Sequence, residues 1–258
     1  MGKAVTKQEA GLPAEFMEEM AADAGDGLQT ITTDDMAVPF LRILQKMSPQ
    51  TSKRDGKYVE GAEDGMIFNT VTGQIWEPEA GLEVIPCAFN HKNIVWRSRE
   101  DGGGLVSTHA RGEVLPKTTK DDRGRDITED GGILTPTAEH YVMLVHPDGS
   151  MEQAIMALSS TQLKYSRRWT SIINQQTMAT AAGTVAAPMY SRVYSLKTIT
   201  ESNDHGEWNS WDIKLERVLD NIEQYRTART FSKAVNAGTV QAKHVGDDEP
   251  AASAENVM

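Results

Sequence analysis

The sequence predicts a β-rich α+β domain: an OB-like small barrel or sheet core with peripheral helices and flexible acidic termini. Three observations predict it. Short apolar runs recur along the chain, separated by turns rich in Gly, Pro and Asn. Only three segments carry helical spacing. The acidic residues gather at the two ends, which divides the chain into an N-terminal arm (1–36) with a short helix, a core domain (37–245) and a disordered acidic tail (246–258).

In the arm, Leu12, Phe16, Met17 and Met20 are spaced for one face of a short helix with Pro13 at its first turn. Phe40, Leu41, Ile43 and Leu44 form an apolar run stopped by Ser48-Pro49, which predicts a buried strand. Met66–Phe68 and Gln74–Trp76 flank Asn69–Gly73 and predict a hairpin. Leu82–Pro86 and Asn93–Trp96 predict two more short strands, followed by a loop at Asp101–Gly104. Residues 116–132 are polar and should project from the sheet. Tyr141–Val145 and Met151–Leu158 flank a Pro-Asp-Gly turn at 147–149. A helix should follow, capped by Ser159 with Gln162 at the return position. Residues 177–187 are small and uncharged. Tyr190 to Lys197 alternate with period two, predicting a strand that turns at Asn203–Gly206 into a partner at Trp208–Leu215. A closing helix carries Val218, Leu219, Ile222, Tyr225 and Phe231 and ends near Gly238.

Composition narrows the classes. With 39% hydrophobic and 24% charged residues the chain is an ordinary globular one. No stretch is apolar for the roughly 18 residues a membrane helix needs, and the first sixteen residues hold no apolar core for a secretory signal. A single cysteine, Cys87, excludes an intrachain disulfide and a multi-cysteine zinc site. The sequence therefore points to a cytoplasmic protein with no membrane partner.

A net charge of −11 argues at first against nucleic acid. Its distribution reverses that. The arm carries −6 and the tail −4, which leaves the core at −1. Residues 153–200 contain no Asp or Glu, yet hold Lys164, Arg167, Arg168, Arg192 and Lys197 together with Tyr165, Trp169, Tyr190 and Tyr194. Lysine and arginine neutralise backbone phosphates, and aromatic rings give unpaired bases a stacking surface. Lys164, Arg167, Arg168 and Trp169 fit such a surface on one helix. They equally fit an amphipathic helix whose Trp169 is core. On the following strand Tyr190, Arg192 and Tyr194 should share a face as stacking and charge, or else as packed aromatics with a snorkelling arginine. A second candidate is Trp96, Arg97 and Arg99 before the Gly102–Gly104 loop, set against a hairpin loop with solvated arginines.

Catalytic patterns are missing from the sequence. The six histidines show no metal-ligand spacing, and there is no Gly-x-Ser-x-Gly elbow. Cys87 falls in a predicted strand, where an inert buried thiol is expected. Asp148 with Glu152 faintly matches a metal-nuclease pattern but lacks its lysine. No enzyme activity, cofactor or metal is expected.

Val38–Gln45, Ser48-Pro49-Gln50, Asn69–Gly73, Trp96 with its glycine loop, and Ser160–Lys164 together resemble a family of small bacteriophage proteins regarded as single-stranded DNA-binding replication proteins. The similarity spans roughly residues 30–215. It implies an OB-like barrel, no catalytic residues, and action in the cytoplasm of the infected bacterium beside polymerase and helicase. The acidic tail is similar in charge to the tails such proteins use for partners. It ends Asn256-Val257-Met258, without the terminal aromatic many of them carry. The expected function is binding of single-stranded DNA without strong sequence preference during phage replication or recombination, with the oligomeric state open and a homo-oligomer allowed. The alternative is a non-enzymatic phage interaction protein, a host-factor inhibitor or assembly accessory, acting through its acidic ends.

Overall fold

A computed structural model describes residues 12–30, 37–204 and 206–244. The acidic tail and His205 lie outside the described residues. The chain divides into two compact units, Met1–Ala37 and Val38–Met258. The first holds helix α1 (Ala14–Ala22), which starts after Pro13 and buries none of its residues.

The second unit is built on a curled antiparallel half-barrel. Its two longest central strands are β4 (Leu82–Trp96) and β8 (Ile133–Val145), paired along their whole length. On the far side of β8 lie β9 (Met151–Ser159) and β7 (Asp126–Thr128), with β6 (Thr118–Lys120) beyond β7. On the far side of β4 lie β12 (Arg192–Asn203), followed by β13 (Gly206–Val218), and separately β5 (Leu105–Ala110).

A small sheet of β1 (Leu41–Ile43), β2 (Ile67–Asn69) and β3 (Ile75–Trp76) spans the opening of the half-barrel. Phe40 bridges to Ile155 of β9 on one side. On the other, the Gln45 side chain grips the Asn209 peptide of β13: its Nε2 donates to Asn209 O at 2.8 Å and its Oε1 accepts from Asn209 N at 2.9 Å. One glutamine thus satisfies both backbone groups that a neighbouring strand would otherwise satisfy.

Period-two alternation separates the two faces of the half-barrel. Val142, Leu144, Ala154, Met156 and Leu158 face inward with Trp169, Tyr194, Leu196 and Trp211. Tyr141, Met143 and Ile155 face the opposite way and pack on α3 (Ile222–Asn236) through Ala228, Phe231 and Val235. Asn221 caps α3, its Oδ1 accepting from the N–H groups of Glu223 and Gln224. Gly238, at φ +77°, ends it.

Several elements differ from the sequence expectation. The two short strands at 82–86 and 93–96 are one strand, because a bulge at Cys87 between Pro86 and Ala88 absorbs the break in alternation. The polar excursion 116–132 supplies β6 and β7 and extends the sheet. The small-residue stretch forms an exposed hairpin, β10 (Thr177–Thr180) with β11 (Gly183–Ala186). Ser159 does not cap a helix. A 3-10 turn at Ser160–Gln162 intervenes, and α2 (Leu163–Asn174) begins after it without a side-chain cap.

Candidate nucleic-acid interface

Helix α2 presents one buried and one open face. Trp169 is 1% exposed, stacked on His140 at 4.6 Å and edge-on to Tyr194 at 5.7 Å. His140 is buried, with Nε2 at 2.8 Å from Ser166 Oγ, and desolvation lowers its pKa to about 3. That ring is a neutral packing element. Tyr194 is 0% exposed, and burial, opposed by nearby Arg192, pushes its hydroxyl up to about 12.

These positions correct the stacking expectation. Trp169 and Tyr194 fill the inner core, so neither ring can receive a base. The Tyr190–Arg192–Tyr194 row does not exist as one face. Tyr190 sits in a 3-10 turn before the strand, packed on Tyr225 at 5.2 Å, and a register shift between Val193 and Tyr194 resets the alternation. Arg192 is tied down: its guanidinium donates to Ser191 O, Ser191 Oγ and Thr177 O.

The second candidate fares similarly. Trp96 is 1% exposed and lies edge-on to His244 at 5.9 Å. Arg97 is exposed and lines a cleft that two carboxylates, Asp101 and Asp130, also line. Of Arg99 only the backbone is described, in a 3-10 turn.

Within the acid-free window, the lysines and arginines differ in what surrounds them. Lys164 makes an ion pair with Glu201, 3.0 Å to each carboxylate oxygen. Desolvation raises the Glu201 carboxyl, but the hydroxyls of Tyr165 and Ser210 and the Lys164 ammonium outweigh it and hold the pKa at about 2. Glu201 is therefore ionised and cancels Lys164. Arg167 and Arg168 are exposed, and among the described residues neither has a carboxylate within ion-pair distance. Lys197 is half-buried and likewise without one.

Sequence reasoning missed a neighbouring group. The bulge at Cys87 turns Phe89 and His91 toward the α2 side of β4, and Phe89 packs on His140 at 4.9 Å. His91 lies within the positive fields of Arg167 from α2 and Arg111 from the turn after β5. Burial first, then those two arginines, lower its pKa. Nothing in the linear sequence joins residues 91, 111 and 167.

A buried ionic cluster lies on the other face. Glu139 is 0% exposed, 2.7 Å from His244 Nε2 and 3.2 Å from Lys92 Nζ, and it accepts from the Tyr141 hydroxyl at 3.0 Å. The Tyr141 oxygen accepts in turn from Ala242 N–H. The cluster fastens the segment after α3 to the sheet, a structural role. Cys87 is buried, and desolvation raises its thiol far above the ordinary range. Asp148 accepts from the Ser150 N–H and hydroxyl in its turn, while Glu152 accepts from Asn69 Nδ2. No group of three metal-ligating side chains occurs among the described residues, and no helix among them is long and apolar enough to cross a membrane.

No curated protein and no solved structure matches the chain at a significant level. A family model does, that of the Pam3 phage gp34-like protein, over residues 6–241.

Proposed function

This chain belongs to the Pam3 phage gp34-like protein family, and from that premise we propose that it binds single-stranded DNA without strong sequence preference during phage replication or recombination, in the cytoplasm of the infected cell. The observation that carries the proposal is the open face of α2: Arg167 and Arg168 stand exposed, without a carboxylate partner among the described residues, inside a 48-residue stretch free of acids, on a chain of net charge −11. Clustered cations of this kind supply sequence-independent affinity for a phosphate backbone. We read the curled half-barrel as OB-like, an architecture suited to tracking a single strand. With Trp96, Trp169 and Tyr194 in the core, the binding is electrostatic rather than driven by base stacking, and the protein acts without a cofactor. Polymerase and helicase remain the proposed partners of the acidic tail.

Labelled oligo-dT titrated with the protein, with and without magnesium, tests this. A shift without cleavage, weakening as salt rises, is the expected result. No shift at 50 mM salt overturns it, and magnesium-dependent cleavage would point to a nuclease. The β10–β11 hairpin favours a second reading as an interaction protein: all eight of its strand residues are exposed and uncharged.

A further inference from the structure

A cleft of about 440 Å³ opens on the edge of β4, lined by Phe89, His91, Lys92, Arg111 and, from α3 and the segment after it, Val235 and Gln241. Its location follows from the sheet. β12 pairs with β4 only at Leu82–Val84 and β5 only at Lys92–Trp96, so the middle of that edge carries no paired strand among the described residues. The Cys87 bulge then aims Phe89 and His91 toward α2.

The charges converge from three elements. Arg111 comes from the turn after β5, Arg167 from α2 and His91 from β4, and both arginines act on His91. Like charges brought together destabilise a fold unless an anion offsets them. Among the described residues no such anion pairs with either arginine, and Glu113 in the same turn as Arg111 is bent back to accept from Ala110 N–H. Lys92 also lines the cleft, but its ammonium already faces Glu139. The end of α3 at the rim does not oppose an anion strongly, because its carbonyls already accept: Lys233 O from Ala237 N–H, Val235 O from Gly238 N–H and Ala234 O from Thr239 N–H.

On the footing of the single-strand binding proposed above, we infer that this cleft is a phosphate site, in which Arg111 holds one backbone phosphate of the bound strand beside His91, while Arg167 adds its positive field from α2 outside the cleft lining. A guanidinium suits the task, since its planar donors match two phosphate oxygens. Phe89 gives the cleft an apolar wall against which the adjoining nucleotide can rest.

The test compares the wild-type protein, Arg111→Ala and Arg123→Ala by fluorescence anisotropy with oligo-dT across salt. Both arginines are exposed, and melting curves confirm that each variant folds. Arg111→Ala should bind about fivefold more weakly at 0.1 M salt, with a salt slope shallower by about 0.7, while Arg123→Ala, on the β6–β7 turn, matches the wild type. If the wild type binds and Arg111→Ala keeps its affinity and slope, the cleft site is refuted and the single-strand proposal survives. If the wild type does not bind oligo-dT, that proposal fails, and titration with inorganic phosphate followed by the His91 ring resonances decides the cleft separately. A shift in the wild type that Arg111→Ala loses upholds an anion site, and no shift removes it.

Discussion

Replacing Arg167 and Arg168 together by alanine tests the charge on which the proposed function rests. Three basic groups around the candidate face have no carboxylate partner among the described residues: Arg111, Arg167 and Arg168; Lys197 points to the opposite side of β12, across from Asp212. If each of the three meets one phosphate, log affinity for a single strand falls with log salt at a slope of about −2.1, at roughly 0.7 per contact. Between 50 and 200 mM salt that amounts to about an 18-fold loss. The double variant retains one contact, a slope of about −0.7 and a loss of roughly threefold over the same range. Glu201→Gln makes the opposite change. It releases Lys164 from its ion pair, adds a fourth base and should steepen the slope by about 0.7. Anisotropy titrations at four or five salt concentrations resolve these differences. Equal slopes for the wild type and the double variant would refute the assignment of α2 as the phosphate-facing element.

Three further outcomes test the architecture that holds this face. Trp169→Ala empties the inner core between His140 and Tyr194; it should cost about 3–5 kcal/mol and lower the melting temperature by roughly 6–20 °C, whereas an unchanged melting curve would mean the ring is not core. His140 titrates near 3 when folded against 6.5 in its ordinary state, so below pH 6.5 the unfolded chain binds a proton that the folded chain refuses. Stability should therefore fall with pH by about 1.4 kcal/mol per unit from this group, and urea midpoints at pH 7.5 and 5 should diverge less in His140→Gln than in the wild type. Gly81 sits at φ +60°, where an added Cβ would collide with the Leu196 carbonyl oxygen. Gly81→Ala should thus destabilise by at least about 1 kcal/mol in a denaturant melt, since β4 and β12 must separate to admit it.

Much of the fold was legible because apolar alternation is local. The β2–β3 hairpin, the Pro-Asp-Gly turn between β8 and β9, and α3 with its Gly238 terminus all carry their cues within a few residues. What escaped was set at a distance. β4 reads as two strands because Pro86 and Cys87 interrupt the alternation, yet β8 pairs across the gap and the bulge absorbs it. The polar stretch 116–132 lacks apolar runs, and β6 and β7 form because the start of β8 offers them an edge. Ser159 has the residue type of a cap, but it belongs to β9, paired with Thr137, and the helix starts one 3-10 turn later. Trp96, Trp169 and Tyr194 were open to either reading from sequence, since a large aromatic beside arginines fits a core stripe as well as a binding face. Packing decides for the core: Trp169 lies between His140 and Tyr194, and Trp96 lies against His244.

Charge was the least legible property, because a linear window counts side chains and not their neighbours. Lys164 lies inside the acid-free window, but its counter-charge, Glu201, arrives from the strand after it. Arg192 is spent on backbone carbonyls. Arg111 lies outside the window, and yet its field reaches His91 together with that of Arg167. The window therefore marked the right helix while misjudging which of its bases are available. The same reasoning narrows the objection from net charge. Of the total of −11, residues 1–36 carry −6 and residues 246–258 carry −4, so the core that bears α2 is close to neutral. Charge acts on a phosphate over about a Debye length, roughly 8 Å at physiological salt, and a phosphate approaching α2 meets Arg167 and Arg168, neither of them ion-paired among the described residues.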